Sequence, residues 1–301
     1  MSSVASFYTK QAANKRRTIL LFTVFLIVVI GVGFVFAQVD KNPINLYIAI
    51  AIAIAMNIAA YWFSDKLVIG MARAKPADEG KYRELHRIVE NLCITAGLPK
   101  PRLYIVYEAQ LNAFATGRDP EHAALAVTEG LLAHLSRSEL EGVIAHELSH
   151  IGNRDMLVST AAVVLVGFIS ILGDIFIRTL AWGRHGGGSS RREGASGAAA
   201  LIGFGVALLA PLGAVLIQLA ISRQREYLAD ATGVLLTRYP DGLASALEKI
   251  SADTTPMRAA RTSTAHLWIA NPFKGKKGMG GLFQTHPPVA KRISRLRGRP
   301  A

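Results

Sequence analysis

Apolar side chains are concentrated in four stretches that contain no charged residue, at 18–39, 42–64, 156–173 and 194–222. About 20 residues of helix, rising about 1.5 Å each, cross a hydrocarbon core. The first, second and fourth stretches meet that length, and the third is marginal. The pattern predicts an integral membrane protein with about four transmembrane helices. Lys15, Arg16 and Arg17 ahead of the first stretch resemble the start of a signal peptide with a cleavage site after Ala37. The apolar run is longer than the roughly 7–15 residues usual there, and only Asp40-Lys41-Asn42-Pro43 separates it from the second stretch. A retained helical hairpin over 18–64 is therefore expected. Residues 183–197, rich in glycine, read as a flexible loop between the last two stretches, and Pro211 predicts a kink.

Two polar segments, 65–155 and 223–301, frame the second pair of apolar stretches. Residues 81–92 have the period of an amphipathic helix that ends at Ala96-Gly97-Leu98-Pro99. Residues 103–107 and 124–128 read as strands, with Asn112, Gly117, Asp119 and Pro120 supplying turn chemistry between them. A helix follows at 129–135. Another starts at Ser138, where Ser138-Glu139-Leu140-Glu141 fits a capping box. The expected class is α+β, mainly helical with a small β-sheet. It divides into a basic tail at 1–17, the hairpin at 18–64, a first polar part at 65–155, two further hydrophobic helices within 156–222, and a second polar part at 223–301.

Composition narrows this picture. Of 301 residues, 51% are hydrophobic and 18% charged, with a mean hydropathy of +0.30, which excludes a disordered chain. The net charge of +13 is uneven: residues 1–17 carry +4, 65–155 sum to −2 and 223–301 carry +9. The basic excess thus flanks the membrane stretches, where Lys and Arg attract anionic lipid headgroups. No groove-reading motif accompanies it, so no nucleic-acid partner is expected. Four basic residues before the first span place the N-terminus, both polar segments and the C-terminus in the cytoplasm. Arg178, Arg184, Arg191 and Arg192 sit between the last two stretches and run against that preference. Cys93 is the single cysteine; it excludes an internal disulfide and is compatible with a reducing compartment.

Chemistry enters with His146-Glu147-Leu148-Ser149-His150. On a helix, a spacing of four puts both imidazoles on one face, able to reach one ion at about 2.0–2.1 Å. Glu147 projects beside them, within reach of a water proton. Two histidines leave a catalytic zinc one protein ligand short. Glu226, in Arg225-Glu226-Tyr227-Leu228-Ala229-Asp230, is the best candidate for the third. Asp230, four residues on, is placed to accept a hydrogen bond from a ligand imidazole. A surface helix with weak ion pairs is the alternative for that segment. His86, His122, His134, His185 and His266 lack mutual ligand spacing and predict no second metal site.

Taken together, His146-Glu147-x-x-His150, Glu226-x-x-x-Asp230, the N-terminal hairpin, Asn112-Ala113-Phe114-Ala115-Thr116-Gly117, and Thr285-His286-Pro287-Pro288 with Arg292 resemble the HtpX-type membrane metallopeptidases. These are relatives of the CAAX prenyl endopeptidase. The resemblance implies a gluzincin, zincin-like catalytic domain with one catalytic Zn2+ held by His146, His150 and Glu226, and Glu147 as general base. It implies peptide-bond hydrolysis of membrane-associated or misfolded membrane proteins at the cytoplasmic face of a prokaryotic plasma membrane. His286 is its candidate donor to the oxyanion. Arg292 is a second donor, or holds Asp230 or the substrate. Asn112 either anchors substrate backbone beside an edge strand or forms a turn. A CAAX-type processing peptidase, a transporter or channel, and a metal-binding protein without catalysis are the competing readings. The channel lacks paired ionisable residues in its spans, and Glu147 argues against lost catalysis.

Overall fold

The computed structural model describes residues 2–39, 41–185, 216, 222–258, 261–273 and 287–298. Helices α1 (Ser2–Val39) and α2 (Ile44–Trp62) form the N-terminal hairpin, and both are apolar and long enough to cross a membrane, over Ala12–Gln38 and Ile44–Trp62. They pack closely because Gly33 has no side chain: a Cβ there would lie 2.1 Å from that of Ala49. Ile19, Ile27, Phe34, Ile48 and Ile54 stay exposed on the outer faces, as lipid-facing residues should. Tyr61, Trp62 and Phe63, also exposed, close α2 with the aromatic cluster typical of a membrane interface.

The third apolar stretch opens α7 (Met156–His185), which follows α6 (Arg137–Gly152). Its part Met156–Ile171 passes as a span only together with α6, a pair bent by 86°. Its first turns are enclosed by protein: Val158, Ala162 and Leu165 pack on the α1–α2 hairpin, while Val163 packs on the sheet side. Of the about four spans expected, the described residues hold two helices long and apolar enough to cross a membrane, or three if the bent pair counts as one. The fourth stretch apart from Leu216 and Ser222, Pro211, and most of 183–197 lie outside them.

Between the hairpin and α6 come α3 (Ser64–Met71), β1 (Lys75–Pro76), α4 (Arg83–Ala96), β2 (Arg102–Val106), β3 (Ala113–Thr116), β4 (Ala124–Thr128) and α5 (Glu129–His134). The sheet runs β1-β2-β4-β3, with β2 and β4 parallel and both outer pairings antiparallel. Both faces are covered. Leu103, Ile105, Leu125 and Val127 point to the core shared with α4 and α6, while Phe114, Ala124 and Ala126 point to α3, α7 and Trp268. Gly97 ends α4 at φ 63, the left-handed cap that its glycine suits. The capping box of α6 lies two residues before its expected place. Ser136 is the N-cap, and Glu139 bonds back to the Ser136 amide at 2.7 Å. Glu139 also meets Lys249 at 2.7 Å, whereas Glu141 turns outward to Arg137.

Helices α8 (Arg223–Thr237), α9 (Pro240–Ala252) and α10 (Val289–Leu296) complete the polar domain. Backbone contact brings the first two onto α6. A Cβ on Gly233 of α8 would sit 3.1 Å from the His146 amide nitrogen, and one on Gly142 of α6 would sit 2.6 Å from Leu243 N on α9. Arg297, just past α10, fastens it to Asp241 and Glu248 of α9. The α6–α9 crossing has no room for a methyl group, so Gly142→Ala should destabilise the fold by about 1–3 kcal/mol through overpacking. Thermal unfolding of the purified variant in detergent checks this.

Candidate metal centre

Helix α6 carries the two histidines, and the α6–α8 contact at Gly233 brings the carboxylates to them. His146 Nε2 and His150 Nε2 are 3.3 Å apart. Glu226 Oε1 is 3.5 Å from His150 Nε2, and its Oε2 is 3.8 Å from His146 Nε2. Ligands about 2.0–2.1 Å from a tetrahedral zinc are about 3.4 Å apart, so these separations fit one ion between them. Among the described residues this is the one group of three or more His, Cys, Asp or Glu so arranged.

The hydrogen bonds behind the rings strengthen the fit. His146 Nδ1 is 3.0 Å from Asp230 Oδ1, and His150 Nδ1 is 3.2 Å from Asp155 Oδ2. A carboxylate accepts, so each Nδ1 carries the proton and each Nε2 presents a lone pair. Two lone pairs and a carboxylate then converge with no proton between them, an arrangement a cation stabilises. In the metal-free protein a proton takes part of that role. Burial pulls the His150 pKa down, but the Asp155 hydrogen bond and the charges of Glu226, Asp155 and Glu147 outweigh it and raise it to about 9.

Arg292 is fully buried and grips Asp230 with two bonds, Nε to Oδ2 at 2.9 Å and Nη2 to Oδ1 at 2.6 Å. Its Nη1 is 3.7 Å from Glu226. Burial pushes the Asp230 carboxyl up, yet the charge of Arg292 and the bond to His146 hold it at about 2. Of the roles open to Arg292 in the sequence, the geometry matches holding Asp230.

Asp155 went unnoticed in the sequence because it belongs to a turn. Arg154 takes a left-handed φ of 56, the chain reverses into α7, and the Asp155 amide donates to His150 O at 3.0 Å. Its carboxylate thereby faces back to the ring. The Asn14 amide of α1 donates to Asp155 Oδ1, so the first apolar helix touches the support of a ligand histidine. Glu147 lines a cavity of about 50 Å³ with His146, His150 and Glu226. His266, set aside by its spacing, lines it too and bonds Ser159 O at 3.1 Å. His286 lies outside the described residues.

Asn112 requires a correction. The segment 112–117, read as a turn, holds the edge strand β3, whose four side chains are all buried and so show no alternation. The Asn112 side chain is itself fully buried. Its Nδ2 donates to Ala270 O at 3.0 Å and to Gln110, and its Oδ1 accepts from Ala270 N at 3.1 Å. It fixes the chain's own residues beside β3 and leaves no group open to a substrate.

The chain matches peptidase family M48 over residues 79–300. It is 47% identical over 294 residues to a protease HtpX homolog of Caldanaerobacter subterraneus subsp. tengcongensis, covering 96% of this chain and 97% of that one. With a protease HtpX homolog of Pyrococcus furiosus it shares 48% over 283 residues, covering 93% and 94%. The crystal structure of S. mikatae Ste24p aligns at a TM-score of 0.48 and 19% identity, covering 93% of this chain and 65% of that one, just under two thirds of its length. The chain belongs to peptidase family M48 and is a metalloprotease.

Metal loading has to displace the His150 proton. That proton is bound below the folded pKa of about 9, so apparent zinc affinity should rise by roughly tenfold per pH unit from about 6.5 to 9 and level off above. Titration against a chromophoric chelator across that range checks it. In the same assay at pH 7.5, Asp155→Asn should weaken zinc binding by about 10–100-fold, the usual effect of losing a carboxylate behind a ligand imidazole.

Proposed function

We propose that this M48 metalloprotease is a membrane-embedded zinc endopeptidase that cleaves membrane-associated or misfolded membrane proteins at the cytoplasmic face of a prokaryotic plasma membrane. The observation that carries the reading is the convergence of His146, His150 and Glu226 within 3.3–3.8 Å at the turn where α6 passes into α7, touching α1. A peptide bond presented there lies close to where the chain meets the bilayer. The basic residues Lys15, Arg16 and Arg17 at that end of α1 support a cytoplasmic placement.

When bound, zinc supplies Lewis acidity, which polarises a carbonyl and makes water a better nucleophile near neutral pH. The remaining steps fall to side chains. Glu147 accepts the proton of the attacking water and delivers it to the departing amine, as a general base within hydrogen-bond reach does. Asp230 and Asp155 keep the two imidazoles in one tautomer and one orientation, and Arg292 keeps Asp230 ionised. In this reading His286 donates to the oxyanion as the carbonyl becomes tetrahedral.

The test uses the full chain in lipid nanodiscs, with an unfolded membrane protein and an isoprenylated peptide as alternative substrates. Cleavage of the membrane protein that a chelator abolishes and zinc restores is expected; cleavage confined to the isoprenylated peptide would favour a CAAX-type processing role. Glu147→Gln should retain zinc, measured by elemental analysis, and lose about 100-fold or more in kcat. Undiminished turnover in that variant would remove Glu147 from the mechanism.

A further inference from the structure

A second cavity, of about 80 Å³, lies between α1 and the start of α8 and is lined by Asn14, Arg17, Asp155, Ser222, Gln224 and Arg225, of which Asp155, Ser222 and Arg225 also border the cavity of the metal centre. Two of these are guanidiniums without a hydrogen-bond partner among the described residues. Arg225 Nη1 is shielded from solvent and unbonded, and among the described residues no ion pair reaches either Arg17 or Arg225. The carboxylate in the lining, Asp155, is already engaged by Asn14 and His150. Both side chains are half-buried, and a guanidinium nitrogen shielded from water normally has a partner, since leaving it bare is costly. Two guanidiniums sharing one cavity with an amide and a hydroxyl form the donor set that suits a phosphate group, which Arg recognises by parallel charge-assisted bonds.

We propose that this cavity binds a phosphate group and that its source is the headgroup of an anionic phospholipid. The location supports the lipid over a soluble anion. Arg17 stands within the span Ala12–Gln38, and the next turn of α1 presents Ile19 and Leu20, which are 57% and 47% exposed. A lipid whose acyl chains lie on those side chains carries its phosphate at the level of Arg17.

Delipidated full-length protein in detergent is titrated with short-chain phosphatidylglycerol, short-chain phosphatidylcholine and inorganic phosphate, and occupancy is read by native mass spectrometry. No turnover is measured, so the result stands apart from the peptidase assignment. One equivalent of phosphatidylglycerol should bind saturably and more tightly than phosphatidylcholine. Arg17→Gln and Arg225→Gln should each weaken it by about tenfold or more, the scale of one charge-assisted hydrogen bond. Lys15→Gln removes the same charge from a residue that does not line the cavity and should change binding by less than about twofold. If Arg225→Gln fails to fold, Arg17→Gln on the half-buried end of α1 gives the same reading. Equal weakening by all three variants, or no saturable binding, would overturn the site. Inorganic phosphate binding as tightly as the lipid would overturn the headgroup as its source.

Discussion

The arrangement of this protein turns on holding three mutually repelling acceptors, two imidazole nitrogens and a carboxylate, within 3.3–3.8 Å of one another in a buried place. A polar cluster of this kind is tolerable only if each member is fully supported, because a half-satisfied buried network is worse than an apolar one. The support is layered. Asp230 and Asp155 stand behind the histidines, Arg292 stands behind Asp230, and Asn14 stands behind Asp155. The layers come from α8, α10, α1 and the turn between α6 and α7, so the fold has to bring all of these to one point beside α6.

Backbone proximity makes that meeting possible. Gly233 lets α8 run against the His146 end of α6, which puts Glu226 and Asp230, both on one face of α8, at the rings. Gly142 and Gly242 let α9 lie on α6 from another side. The sheet fills the space behind, and its two apolar faces divide the molecule between a polar-domain core and a layer shared with α3 and α7. The site therefore sits where the apolar helices end and the mixed α+β domain begins.

Much of this is legible in the sequence, and what is not has physical causes. Periodicity and cap chemistry locate α4, β2, β4 and α6, although Ser136 rather than Ser138 starts α6, because Glu139 gains both a cap bond and Lys249. The spacing within His146-Glu147-x-x-His150 and Glu226-x-x-x-Asp230 is a local property of helices, so it can be read directly. Strand β3 escapes because four buried residues give no alternation, and Asn112 was misjudged because its hydrogen bonds go to residues near 270. Asp155 and Asn14 carry no spacing signal, since they meet the site only through a tight turn and a helix crossing. The third apolar stretch looks marginal as a span for a sound reason: neighbouring helices and the sheet enclose its opening turns.

The contact of Asn14 with Asp155 has one more implication. The amide that steadies the partner of His150 comes from the N-terminal hairpin, 141 residues before the carboxylate along the chain. The centre is therefore complete only when α1 is packed against the turn that carries Asp155, and a polar domain separated from the hairpin would lose that brace.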